Sequence, residues 1–184
     1  MSEMVLIVDW TTKVLQALVV VFLLVKFKQR KWSLFFGSGS HLKSIEDHEL
    51  HSCFIAALCT VVFFHVGTVL SSHVLALELD KLELRKVYYF IMSLNSCAYS
   101  VAIFSLHRLR GCSYSNAAKR CLYLAVVTVL LCIMQLISRG IFDYNGLSPF
   151  YKVSLMVVNV TTLLVVAAYP IKLIKRLKTN AKEA

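Results

Sequence analysis

From Leu50 to Leu77 the chain carries no Asp, Glu, Lys or Arg. A helix needs about 20 residues to cross a hydrocarbon core roughly 30 Å thick. Inside lipid every backbone N–H and C=O must find its partner within the protein, so a long uncharged run of this kind folds as a membrane-crossing helix. Three more blocks have the same character. Residues 87–106 are uncharged, 121–142 contain only Arg139, and 153–171 are uncharged up to Pro170. The connectors 78–86, 107–120 and 143–152 are short and polar, as antiparallel neighbouring helices require. Hydrophobic residues make up 58% of the 184, above the ~45–50% usual in soluble domains. The expected fold class is all-α, a polytopic transmembrane helical bundle of about five spans forming one domain over residues 1–184.

The fifth block, 4–27, is long enough but is interrupted by Asp9, Lys13 and Lys26. A charge near the middle of a span costs about 2.5–3.5 kcal/mol. Asp9 precedes Lys13 by four residues, the favourable order for a helical ion pair. The sequence therefore favours a span over a surface helix, with its charges satisfied inside the protein.

Orientation follows from Lys and Arg. The segment after span one, the loop after span three and the tail hold 14 of them, and the alternate loops hold 5. Basic loops stay on the cytoplasmic side, which predicts the N-terminus outside and the C-terminus in the cytoplasm. The expected location is a plasma membrane, or the inner membrane of a bacterium. This alternation also accounts for the net charge of +10. No basic stripe lies on a soluble module, which argues against nucleic acid as a partner.

Two segments flank the spans on that side. The connector 28–49 contains Trp32, Phe35 and Phe36 beside Lys31, an interfacial composition, then Gly37-Ser38-Gly39-Ser40. Ser44 stands three residues before Asp47 and predicts a helix starting near Ile45. The tail 172–184 places Lys172, Lys175, Arg176 and Lys178 at an amphipathic spacing, suited to anionic inner-leaflet lipid or to an acidic partner surface. Six cysteines are present without a C-x-x-C pair, so no disulfide framework is expected.

Polar residues inside spans face the bundle interior or water. Asp9, Thr12, Lys13 and Gln16 share one helix face at i, i+3, i+4 and i+7. They read either as the lining of a pocket or pore, or as a polar helix contact. Thr128, Cys132, Gln135 and Arg139 form a second stripe. His65, Thr68 and Ser72 share a face of span two, with His73 nearby. In the expected topology Asp9, Lys13, Gln16, Ser72, His73, Gln135 and Arg139 lie at similar depth on three helices, which predicts one hydrated vestibule opening outward. Ser93, Ser96, Cys97 and Ser100 make a small-residue face for close helix packing. Asn95, Asn159 and Thr162 are expected to form hydrogen bonds between helices.

His48-Glu49-Leu50-His51 lacks one residue of the H-E-x-x-H spacing, so the general-base geometry of that motif is lost. With His107 at the same membrane level, His48 and His51 remain candidate metal ligands. His51 and His65 have a spacing that resembles the haem-ligand pairs of b-type membrane cytochromes. With only His107 opposite, that resemblance implies at most one haem, between His51 and His107; it covers two residues and assigns no family. No nucleophile elbow, P-loop or dinucleotide turn is present. The sequence favours a small non-enzymatic membrane subunit, a sensor or anchor that works with a partner, and as a homo-oligomer, without a cofactor. The alternatives are a homo-oligomeric channel lined by span one, and a metal- or haem-dependent membrane enzyme.

Overall fold

The computed structural model describes residues 3–29 and 44–183, with side chains placed for 10–11, 13–25 and 44–172. All regular structure among them is helical. Helix α1 spans Glu3–Gln29, α2 Ile45–Leu75, α3 Lys81–Arg110, α4 Asn116–Gln135 and α5 Ser148–Glu183. The interfacial segment 31–36 and the Gly-Ser joint lie outside the described residues.

Local chemistry sets the boundaries. Ser44 caps α2, its Oγ accepting from the Asp47 N–H at 3.1 Å, and Glu46 and Asp47 favour the positive helix start. Helix α3 ends at Gly111, whose φ of 64° lies in the left-handed region that glycine enters without strain. His107, Arg108 and Arg110 occupy its last turn. Ser115 caps α4 through the Ala118 N–H at 3.2 Å. Helix α4 then widens into a π-helical segment, Leu136–Ile141.

Four helices are long and apolar enough to cross a membrane: α2, α3, α4 with its π-helical extension, and α5 as far as Lys172. Helix α1 has 27 residues and an apolar part from Lys13 to Val25. Consecutive helices α2, α3, α4 and α5 pack as neighbours, and α1 packs against both α2 and α5. The five helices therefore close a ring. Outside it, Phe90, Leu94, Val101 and Phe104 form an exposed apolar stripe on α3. Lipid solvates such a surface, which on a water-soluble monomer would far exceed the usual apolar patch. The chain is an integral, multi-pass membrane protein.

Packing is dense at the two ends of the ring. One cluster joins Leu23, Phe54, Ala57, Ile103, Cys121 and Val166 from all five helices. The other joins Tyr89, Leu131, Cys132, Tyr151 and Val158. All six cysteines are free thiols.

Candidate functional site

Between those clusters lies a cavity of about 1140 Å³ lined by residues of all five helices. Its walls are mostly apolar, with Phe63, Phe64, Met92, Leu124 and Met156. At the inner limit, the Thr60 hydroxyl donates to the Ala56 carbonyl at 2.7 Å. The Tyr99 hydroxyl therefore donates to Thr60 Oγ1, 3.1 Å away, beside Cys121. Asn95 crosses from α3 to α2, its Nδ2 donating to the Phe63 carbonyl at 3.2 Å. Gly67 makes room for that approach, since a Cβ there would sit 3.0 Å from Asn95 Nδ2. The exposed Thr68 of α2 and the exposed Val153, Met156 and Val160 of α5 also line the cavity. It therefore reaches the protein surface beside α2 and α5.

One end of the cavity, called the mouth below, is basic. Arg85, Arg139 and Lys152 line it. Arg85 pairs with Asp143. Arg139 lies in the π-helical segment, an element often found at functional positions. Its Nε donates to Asn145 Oδ1 at 2.9 Å, and its Nη1 to the Tyr89 hydroxyl at 2.9 Å and Ser148 Oγ at 3.4 Å. All three partners are neutral. Tyr89 is held in turn by edge-on contacts with Tyr88 and Tyr151, at centroid distances of 5.3 and 5.6 Å. The π-helical segment lies close against α3 because residue 140 is glycine; a Cβ there would sit 3.1 Å from Lys86 Cγ. Lys152 is exposed and has no hydrogen bond or ion pair among the described residues.

The residues singled out in the sequence are distributed unevenly around this cavity. Gln16 and Arg139 line it. Gln16 is only 1% exposed, and its Oε1 has no hydrogen-bond partner among the described residues. Gln135 lies behind the wall, donating to the Leu147 carbonyl at 2.9 Å. Lys13 sits over Trp10 and Phe64, its Nζ 5.4 and 6.0 Å from the ring centroids. Asp9 and Thr12 are on α1, but their side chains lie outside the described set. His65, Ser72 and His73 are exposed away from the cavity and bond to carbonyls of their own helix. His65 is two residues from the inward Gly67, about 200° around the helix. Lys172 is exposed on α5, and Lys175, Arg176 and Lys178 continue that helix beyond the described side chains. Asn159 and Thr162 line the cavity, although Thr162 bonds within α5, to the Val158 carbonyl.

The histidine region forms a separate polar knot at the other end of the ring. His107 Nδ1 donates to the Ile103 carbonyl at 2.7 Å, which leaves Nε2 to accept from the Ser52 hydroxyl at 2.8 Å. The Ser115 N–H donates to Ser52 Oγ at 2.8 Å. Tyr114 stacks on His107 with centroids 4.3 Å apart. His51 Nδ1 bonds the Asp47 carbonyl at 2.7 Å, and Arg110 lies 3.4 Å from its Nε2. His48 Nδ1 accepts from the Ser113 N–H at 3.3 Å. His48, His51 and His107 thus share one end of the bundle, each tied to a different group. Among the described residues no three His, Cys, Asp or Glu side chains converge as a metal-holding group. Burial pushes the neighbouring Cys112 thiol above its ordinary pKa.

Sequence reasoning missed Arg85, Lys152, Tyr89 and Tyr99 as cavity residues. The two cations were legible only as loop charges, and the tyrosines only as membrane-interface or packing residues. No protein-family model, curated protein or solved structure matches the chain.

Proposed function

We propose that the chain is a small non-enzymatic membrane subunit that senses or carries an apolar ligand taken sideways from the bilayer. The carrying observation is the cavity of about 1140 Å³, whose lining includes exposed residues of α2 and α5. Drug-sized ligand pockets occupy ~300–1,000 Å³, so this one suits a lipid-sized guest. Gln16 of the α1 polar stripe is buried and turns into this cavity. That supports a ligand site within one chain over a pore shared between chains.

In this reading the N-terminus and the basic mouth face outward and the C-terminal tail faces the cytoplasm, following the distribution of Lys and Arg. In this reading the chain passes its signal to a partner protein or to a second copy. The basic cytoplasmic residues favour an acidic partner surface or anionic lipid. Native mass spectrometry of protein released gently from its own membrane tests the ligand. The expected result is one amphiphile per chain, lost when Thr128→Trp fills the cavity in a protein of unchanged helicity. A bare native chain, or an adduct untouched by Thr128→Trp, would overturn the reading.

A further inference from the structure

Resting on that reading, the geometry points to the ligand's chemical class: we infer that the cavity takes an anionic amphiphile, its headgroup at Arg139 and Lys152 and its chain along the apolar walls. The argument is one of charge complementarity at the mouth. Among the described residues, the acidic groups nearest this end are already assigned or lie off the lining. Asp143 pairs with Arg85, and Glu83 pairs with Lys86 at 2.8 Å. Glu78 and Asp80 sit in the exposed α2–α3 loop and do not line the cavity. Arg139 and Lys152 therefore remain as the two cavity-lining cations without a carboxylate among the described residues.

Arg139 is also prepared for an anion. Its Nε and Nη1 are held by Asn145, Tyr89 and Ser148, which fix the plane of the guanidinium. Its Nη2 makes no hydrogen bond among the described residues, leaving two donors for a guest. A fixed guanidinium bonds a carboxylate or phosphate more strongly than it bonds neutral groups. A cation this close to a low-dielectric wall gains more from an anion than one in open water does. Below the mouth, Met92, Leu124, Met156 and Phe63 offer no charge, so the rest of the guest must be apolar. A soluble dianion satisfies the mouth but not the walls; a neutral lipid satisfies the walls and leaves both cations unpaired.

The test compares guests of equal chain length on the full chain in uncharged detergent. The probes are palmitate, under conditions where it is ionised, and hexadecanol. Palmitate should bind about tenfold tighter, equivalent to ~1.4 kcal/mol. Arg139→Gln should reduce palmitate to the level of hexadecanol while leaving hexadecanol unmoved. Lys152→Gln, at an exposed side chain with no bond to lose, should cost palmitate a few-fold, and it decides the matter if Arg139→Gln does not fold. Equal binding of palmitate and hexadecanol by the native chain overturns the inference and leaves the ligand-cavity reading standing. So does a palmitate preference that neither substitution moves. Binding of neither probe overturns both. A third arm separates the sources of the anion. If dipalmitoyl phosphatidylglycerol outbinds dipalmitoyl phosphatidylcholine through Arg139, a membrane phospholipid supplies the headgroup; if only palmitate shows the preference, a free fatty acid does.

Discussion

Replacing Gly67 by Ala should have opposite signs in two backgrounds, because Asn95 occupies the space the new methyl needs. A Cβ at position 67 would lie 3.0 Å from Asn95 Nδ2, and 3.7 Å from Met92 Cε. The second distance is ordinary contact, so Asn95 alone must give way. Retreating, it loses its 3.2 Å bond to the Phe63 carbonyl. Side-chain hydrogen bonds between membrane helices are worth about 0.6 kcal/mol on average and up to ~1.7. Against that, Gly→Ala inside a helix gains roughly 0.5–1 kcal/mol. Gly67→Ala alone should then be neutral to about 1 kcal/mol destabilising on the same scale. In an Asn95→Ala background the methyl meets only the ordinary contact with Met92 Cε, and the same change should stabilise by ~0.5–1 kcal/mol. The coupling energy is therefore about 1 kcal/mol. Reversible unfolding of the four proteins in mixed micelles, followed by far-ultraviolet circular dichroism, measures it. Equal effects of Gly67→Ala in the two backgrounds would refute the packing of α2 on α3 described above.

Other consequences are local. Gly140→Ala should destabilise by about 1–3 kcal/mol, because its Cβ would meet Lys86 Cγ at 3.1 Å and Lys86 Cα at 3.5 Å; a thermal melt in detergent reads this, and an unchanged midpoint contradicts the close approach. Ser44→Ala should remove the α2 cap at a cost of ~1 kcal/mol, seen as faster hydrogen exchange at Asp47 and His48. Cys112 should react slowly with maleimide in the folded protein, since burial raises its pKa and so lowers its thiolate fraction below that of a free cysteine. Rapid labelling of Cys112 before denaturation would show that the α3–α4 loop is not packed as described.

The helices were legible in the sequence because the bilayer imposes a length on apolar runs that few other environments impose. The α2 start was legible too, since Ser44 and Asp47 satisfy each other locally. The spans read from hydropathy were shorter than the helices, because α3 begins at Lys81 and ends at Arg110, carrying its charged ends past the apolar run. The cavity was half legible. A polar stripe shows which residues share a face, and Gln16 and Arg139 do line the space. It does not show which way the face turns. On span two the face read from the sequence is split: Thr68 lines the cavity, while His65, Ser72 and His73 are exposed and bond to carbonyls of their own helix. The face that turns inward is carried by Gly67 and the aromatic Phe63, which look like packing residues in one dimension. The mouth depends on pairing across the sequence, as between Arg85 and Asp143, or Arg139 and Tyr89. Counts of loop charge cannot distinguish a paired cation from an unpaired one.

The central claim is that one chain encloses a lipid-accessible cavity among its five helices. A fatty acid carrying a photoreactive diazirine at mid-chain, added to membranes holding the full-length protein, tests this directly. After irradiation and peptide mapping, adducts should concentrate on the cavity residues Met92, Leu124 and Met156. They should fall when excess unlabelled palmitate is present. Labelling confined to the outward-facing Phe90, Leu94, Phe104 and Leu130, and indifferent to competitor, would contradict the account.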